Sequence, residues 1–254
     1  MPTFPLVSEL PTVLEASGWS WQRFDLYNHD GFWIGTDLEG NRWLTKLRRV
    51  EYAYREIVFD RLAQRMGWSC QSTTFLQLSS ADADYLGVTE RVHGAHWFLD
   101  EHSRDRACSS GCPFEFCLDR PFTSIDDFDG CGIKNLLDWP KADFAACLFG
   151  ANEPSDRLIT VDHELVIIDS EQMFASSPCA LSGCAWWSTS DGESSPSGRA
   201  LALEVCRDIH GLTADDLEQA LSVPRGIKVP TRRLKDTRSR LKASYEFASE
   251  RAAL

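Results

Sequence analysis

The sequence predicts an α+β protein of two lobes, a small β-rich N-lobe and a larger, mostly helical C-lobe. Three observations carry this reading. Two short runs rich in aromatic and β-branched residues flank a turn-forming stretch, the pattern of a β-hairpin. An apolar stripe at helical spacing follows within a few residues. Far downstream, a second tight hairpin ends in an acidic residue and lies among helical segments.

Taken in order, Phe32-Trp-Ile-Gly-Thr and Arg42-Trp-Leu-Thr-Lys-Leu read as strands, with Leu38-Glu-Gly-Asn supplying the turn. Within residues 51–66, Tyr54, Val58, Leu62 and Met66 step by four, as one face of a helix does, and Gly67 is a natural stop. Thr73-Thr-Phe-Leu-Gln-Leu and Tyr85-Leu-Gly-Val-Thr-Glu-Arg-Val read as further strands. The N-lobe is therefore expected over residues 1–90 and the C-lobe over 91–254. Residues 100–135 read as an insertion or connecting loops. A short apolar helix is expected over 142–150, after Pro140. Leu158-Ile-Thr and Leu165-Val-Ile-Ile-Asp-Ser, joined at Asp162-His-Glu, form the second hairpin. Residues 175–198, rich in Ser, Gly and Cys, read as a mobile loop. Helices follow over 199–209, over 214–221 with Thr213 as cap and Asp216 three residues on, and over 231–251.

Composition narrows the function classes. A net charge of −12 argues against general nucleic-acid binding, because an acidic surface repels phosphates. The exception is the basic run holding Arg232, Arg233, Lys235, Arg238 and Arg240, read as the solvated face of the last helix rather than a phosphate or partner patch. No apolar run reaches the roughly 20 residues that span a bilayer, and the start lacks a basic segment before an apolar core. A cytoplasmic location is therefore expected. Nine cysteines without a secretory signal point to free thiols or a metal site rather than disulfides. Cys108, Cys112 and Cys117, with Cys131 beyond, form the densest cluster. Zinc there is the lesser alternative, because the spacing departs from the usual Cys-x-x-Cys pairs.

Three residues fall in an order that suits phosphoryl transfer: Lys46 at the end of a strand, Glu56 on the following helix, and Asp169 at the end of an apolar strand. Such chemistry is mostly positioning and charge neutralisation. A strand lysine holds the α/β-phosphates of ATP, a helix carboxylate fixes that lysine, and an acid at a strand end holds Mg²⁺. Glu90, at the end of the N-lobe, is a further candidate for nucleotide contact.

The stretch Arg42-Trp-Leu-Thr-Lys46, then Tyr54-Arg-Glu56-Ile-Val-Phe-Asp-Arg-Leu-Ala-Gln-Arg-Met-Gly67, resembles the HipA-like kinase pattern of a strand lysine followed by a helix Asn-Glu-x-x-x-x-x-Leu-Ala-x-x-Leu-Gly. Residues 148–174, with Asn152-Glu-Pro-Ser-Asp156-Arg-Leu-Ile and Leu165-Val-Ile-Ile-Asp169, are similar to that family's catalytic segment, Gly-Asn-x-Asp-Arg-x-x-x-Asn-Leu-Leu-Ile…Leu-Ile-Asp. Leu212-Thr-Ala-Asp-Asp-Leu-Glu-Gln-Ala-Leu-Ser-Val-Pro and the Arg-rich helix after it look like the family's C-terminal helices. The resemblance covers about two-thirds of the chain. It implies a two-lobed protein-kinase-like fold of the branch shared with phosphatidylinositol 3- and 4-kinases, with ATP and Mg²⁺ as cofactors and a protein or small-molecule hydroxyl as acceptor.

The sequence also departs from the pattern. Counted back from Asp169, the place of the metal-binding Asn is filled by Asp156, and the loop before it is about two residues short. Asn152 or Glu153 then stands near the family's catalytic Asp. The alternative alignment keeps Asp156-Arg157 as the catalytic pair and deletes the metal Asn. No glycine-rich phosphate loop stands out; Tyr27-Asn-His-Asp-Gly31 holds a single glycine. Three readings therefore stand together: an ATP-dependent kinase, a catalytically impaired pseudokinase that keeps the fold as a nucleotide-binding or regulatory module, and a metal-organised interaction protein built on Cys108, Cys112 and Cys117.

Overall fold

The computed structural model describes residues 7–24, 32–97, 134–135, 137–151, 156–159, 164–168, 170–179, 181, 184 and 195–252. The N-lobe is a six-stranded sheet of β1 (Val13–Glu15), β2 (Ser20–Arg23), β3 (Phe32–Thr36), β4 (Arg42–Lys46), β5 (Thr73–Gln77) and β6 (Val92–Trp97). Its order is β1-β5-β6-β4-β3-β2, and every pairing is antiparallel except β1 with β5. The expected hairpin is present, with Thr36 opposite Arg42 and Phe32 opposite Lys46. Asp37 builds its turn by accepting the backbone N–H of Glu39 at 3.0 Å and of Asn41 at 2.8 Å, an Asx turn. The same carboxylate accepts the Trp43 indole N–H at 3.0 Å, tying turn to strand.

One expected strand is displaced: of residues 85–92, Tyr85 and Leu86 end a helix, residues 87–91 connect, and only Val92 lies in a strand. Over residues 85–92 the β-branched character of Val88, Thr89 and Val92 is overruled by capping chemistry just upstream. The Ser79 hydroxyl accepts the Asp82 N–H at 3.1 Å and starts α2 (Ser80–Leu86), which Gly87 ends; β6 begins only at Val92. The sheet therefore runs on to Trp97, past residue 90.

The two faces of the sheet bury different cores. On one, Trp19, Trp43, Leu14, Leu76 and Ala95 pack together, with the Trp43 and Trp97 rings edge to face at 5.0 Å and Trp19 and Trp43 stacked at 6.4 Å. Gly35 permits this packing, since a Cβ there would meet the Trp19 ring at 2.6 Å and the Trp21 ring at 2.8 Å. On the other lies α1 (Val50–Arg65), one residue earlier at each end than the spacing implied. Tyr54, Val58 and Leu62 of the expected stripe enter the larger core, as do Ile57, Phe59 and Ala63. The opposite, charged face is not solvated: Arg55, Glu56 and Asp60 are buried too, enclosed by the sheet. This enclosure positions the site.

The C-lobe holds α3 (Asp138–Phe149), the hairpin β7 (Asp156–Ile159) and β8 (Leu165–Ile168), then α4 (Pro196–His210), α5 (Ala214–Ala220) and α6 (Thr231–Ala252). Helix α3 starts two residues before Pro140 rather than after it, because proline is tolerated in a first turn, where its missing N–H has no partner to lose. Phe59, Phe149 and Phe174 meet where the lobes join, and each such fully buried ring contributes roughly 1.5–3 kcal/mol. The Thr213–Asp216 capping box is formed. The basic face of α6 is solvated at Arg232, 89% exposed, while Arg238 forks onto Glu218 at 2.7 and 2.9 Å, Arg233 reaches Glu51 at 3.3 Å, and Arg240 donates to the Phe174 carbonyl. Residues 175–179, expected to be mobile, are tied down: Ser176 N–H donates to Gly150 O at 2.7 Å and Cys179 N–H to Cys147 O at 2.9 Å. No helix among the described residues is long and apolar enough to cross a membrane.

Candidate functional site

The site forms where the end of β4, the second turn of α1 and the chain leaving β8 converge. Lys46 is the last residue of β4, paired with Phe32 on β3 and Gly94 on β6. The short 47–49 linker turns the chain into α1, which brings Glu56 back over the strand end. Lys46 Nζ donates to Glu56 Oε1 at 3.1 Å, and both residues are buried, at 8% and 2% exposure. Ion pairs this enclosed need further hydrogen bonds to offset desolvation. Gln71 supplies one, its Nε2 donating to Glu56 Oε1 at 3.4 Å, and His96 Nε2 lies within ion-pair distance of Glu56 Oε2, at 3.5 Å.

One turn further along α1, Asp60 extends the cluster. It accepts the Thr73 hydroxyl and the Ser170 hydroxyl, the latter at 3.3 Å, while Thr73 Oγ also meets His96 Nδ1 at 2.9 Å. Burial pushes the Asp60 carboxyl well above the usual carboxylate range, and nearby Glu56 adds to the shift against the Thr73 and Ser170 hydrogen bonds. Asp60 is thus held toward its neutral form.

Strand β8 is docked by two neighbours. Ile167 N–H donates to Ser69 O at 3.0 Å and Gln71 N–H to Ile167 O at 2.8 Å, a short parallel bridge. Asn135 imitates a strand along the same edge, donating to Leu165 O at 2.8 Å and accepting Leu165 N–H at 2.7 Å. The chain therefore leaves β8 beside Lys46, and Glu171 arrives there: one carboxylate oxygen pairs with Arg48, and the other, Oε2, lies 4.0 Å from Lys46 Nζ.

The structure brings Lys46 and Glu56 together as the order of residues implied. Asp156 opens β7 opposite Ile168, the residue that precedes Asp169 in the chain. Asn152, Glu153 and Asp169 lie outside the described residues, as do Cys108, Cys112, Cys117 and Cys131. Glu90 is not brought to the cluster. It is exposed and lines a surface cavity of about 430 Å³ with Arg49, Tyr52, Val88, His93 and Arg48, the last of which the cavity shares with the cluster. Among the described residues no three His, Cys, Asp or Glu side chains are grouped to hold a metal ion. The free thiols there include Cys70 and Cys206, which burial pushes up and so keeps unreactive.

Sequence reasoning missed Asp60, Gln71, Thr73, His96 and Glu171. A signal existed for Asp60, four residues from Glu56 and thus on the same helix face. His96 and Thr73 meet only through the β5–β6 register, which pairs them directly.

No family model and no curated protein sequence matches the chain. Among solved structures, a Helicobacter pylori proinflammatory kinase, CtkA, is similar in fold, with a TM-score of 0.61 at 10% sequence identity over 96% of this chain and 99% of that one. The chain has a two-lobed kinase-like α+β fold, with a small β-rich N-lobe and a mostly helical C-lobe.

Proposed function

We propose that the protein is an ATP- and Mg²⁺-dependent phosphotransferase of the HipA-like branch, transferring a phosphoryl group to a hydroxyl of a protein or small molecule. The observation that carries the reading is the buried Lys46–Glu56 pair at the end of a central strand in a kinase-like sheet. In phosphoryl transfer a strand lysine fixed by a helix carboxylate is the group that donates to phosphate oxygens. Glu56, itself held by Gln71, fixes the rotamer of Lys46 and so the place of those donors.

Carboxylate oxygens suit a hard divalent cation. Asp169 and Asp156 would hold it, and the hairpin register that sets Asp156 opposite Ile168 supports the alignment giving Asp156 the metal position. When bound, Mg²⁺ neutralises phosphate charge and orients the γ-phosphoryl group. Glu153 is then the group suited to accept the acceptor's hydroxyl proton, since the Asn152 amide has no comparable basicity.

A second reading has its own observation. The altered 152–156 segment favours a pseudokinase that binds nucleotide without turnover. Labelled γ-phosphate from Mg-ATP separates the two. Transfer to the protein itself or to a hydroxyl acceptor, lost in Asp169→Ala, is the outcome expected of the kinase. Nucleotide binding with no transfer to any acceptor, and no difference between wild type and Glu153→Gln, would select the pseudokinase.

A further inference from the structure

Asp60 is fully enclosed, at 0% exposure, one helical turn from Glu56. Its two oxygens meet hydroxyls rather than cations: Oδ2 touches Thr73 and Oδ1 touches Ser170 at 3.3 Å. Thr73 Oγ in turn stands between Asp60 and His96 Nδ1, the latter at 2.9 Å. Asp60, Thr73 and His96 therefore form a chain that ends at Glu56, because His96 Nε2 faces Glu56 Oε2 at 3.5 Å with both side chains almost wholly enclosed.

The two contacts of Thr73 need two protons, and its hydroxyl brings one. The other comes from Asp60 or from His96. An ionised Asp60 accepts the Thr73 hydroxyl, whereas the acid form donates its own O–H to Thr73. The far side of the ring decides between the two. A neutral His96 with its proton on Nδ1 would turn a lone pair onto the Glu56 carboxylate. A ring protonated at both nitrogens would suit Glu56 but leave Asp60 a buried charge held by two hydroxyls alone, which is costly. Burial outweighs the Thr73, Ser170 and Lys46 interactions at Asp60 and pushes its carboxyl toward the neutral form.

We propose that Asp60 is a positioning residue for the Lys46–Glu56 pair, acting through a chain of donors. The Asp60 O–H donates to Thr73 Oγ and the Thr73 O–H donates to His96 Nδ1, so the ring keeps its own proton on Nε2, toward Glu56. Glu56 Oε2 then faces an N–H, while Lys46 and Gln71 donate to Oε1. A carboxylate approached by donors at both oxygens is held in one rotamer, and so is the lysine bound to it. The proton order belongs to the protein without ligand; its effect on ATP rests on the nucleotide-binding reading.

The test is ¹⁵N NMR of the histidine rings in the full chain without ligand at neutral pH, His96 being assigned by the signals lost in His96→Gln. Wild type is expected to show His96 protonated on Nε2 with a bare Nδ1. Protonation on Nδ1 alone, or on both nitrogens, would overturn the proposal, and this arm needs no variant to fold. Asp60→Asn keeps a donor for Thr73, with its amide oxygen on Ser170, and is expected to leave the His96 signals as in wild type. A change in the protonated nitrogen would show that Asp60 acted as a carboxylate and would sink the idea. Thr73→Val, shown to be folded by thermal melts, removes the donor to Nδ1, whose resonance should move downfield; Thr73→Ser should restore it. An unmoved Nδ1 signal in Thr73→Val would contradict the chain. With Mg-ATP, Thr73→Val is expected to lose about 5-fold in affinity, the size of one hydrogen bond, and Thr73→Ser to recover it. Equal affinity in Thr73→Val and wild type would refute the positioning role. Wild type that binds no ATP would refute the nucleotide reading and leave the His96 result standing.

Discussion

Replacing Lys46 and Glu56 singly and together measures the pair on which the site is built. At 3.1 Å, the gross attraction between the two charges is about 5 kcal/mol for an effective dielectric of 20. Desolvation of both side chains, 9% and 3% exposed, consumes part of it. Glu171 at 4.0 Å contributes a second attraction of about 4 kcal/mol on the same scale and partly replaces Glu56 when that carboxylate is neutralised. Glu56→Gln should therefore destabilise by less than the ~3–5 kcal/mol typical of orphaning a buried charge. Lys46→Met leaves two buried carboxylates near each other and should cost more. The coupling from the four-corner cycle, read by urea denaturation at neutral pH, is expected at about 2–4 kcal/mol. A coupling under about 0.5 kcal/mol, the range of exposed pairs, would refute the claim that this is an enclosed, mutually fixed pair.

Three further changes test other parts of the account. Asp60 has its folded carboxyl pushed above the unfolded value of 3.8, so its contribution to stability is full below that pH and is lost as pH rises through the folded value. Within that window, up to about 1.4 kcal/mol should be lost per pH unit, and Asp60→Asn should flatten the wild-type slope in denaturation followed against pH; an unchanged slope would contradict it. Gly150 has φ +66° and a Cβ there would meet the Ser176 carbonyl oxygen at 2.2 Å, so Gly150→Ala is expected to cost about 3 kcal/mol or more in thermal unfolding. Gly35→Ala drives a methyl into the Trp19 and Trp21 rings, and should cost about 1–3 kcal/mol with a shift in tryptophan emission. Emission and stability like wild type would show that the indoles are not packed as described.

Much of the fold was legible because its signals are local. The hairpin, the 73–78 strand, the capping box at Thr213 and the β8 run all announce themselves within a few residues. Strands β1 and β2 did not, being three and four residues long with polar positions among them. Residues 85–92 misled because strand propensity there is real, but the Ser79 cap acts on it from outside the run. In the site, Lys46 and Glu56 could be read from order alone. The buried state of Arg55 and Asp60 could not, since a charged helix face looks solvated until the sheet that covers it is known. Glu171 was legible as a position two residues past Asp169, but nothing in the sequence says that it is enclosed beside Arg48 and Lys46.

The most direct test of the central claim is equilibrium binding of ATP to wild type, Lys46→Ala and Asp169→Ala, each with and without Mg²⁺. The account expects wild type to bind with a strong Mg²⁺ dependence, Lys46→Ala to lose ~10-fold or more in affinity at every Mg²⁺ concentration, and Asp169→Ala to lose the Mg²⁺ dependence itself. Wild type that does not bind ATP, or equal binding by all three proteins, would contradict the assignment of a nucleotide to this site.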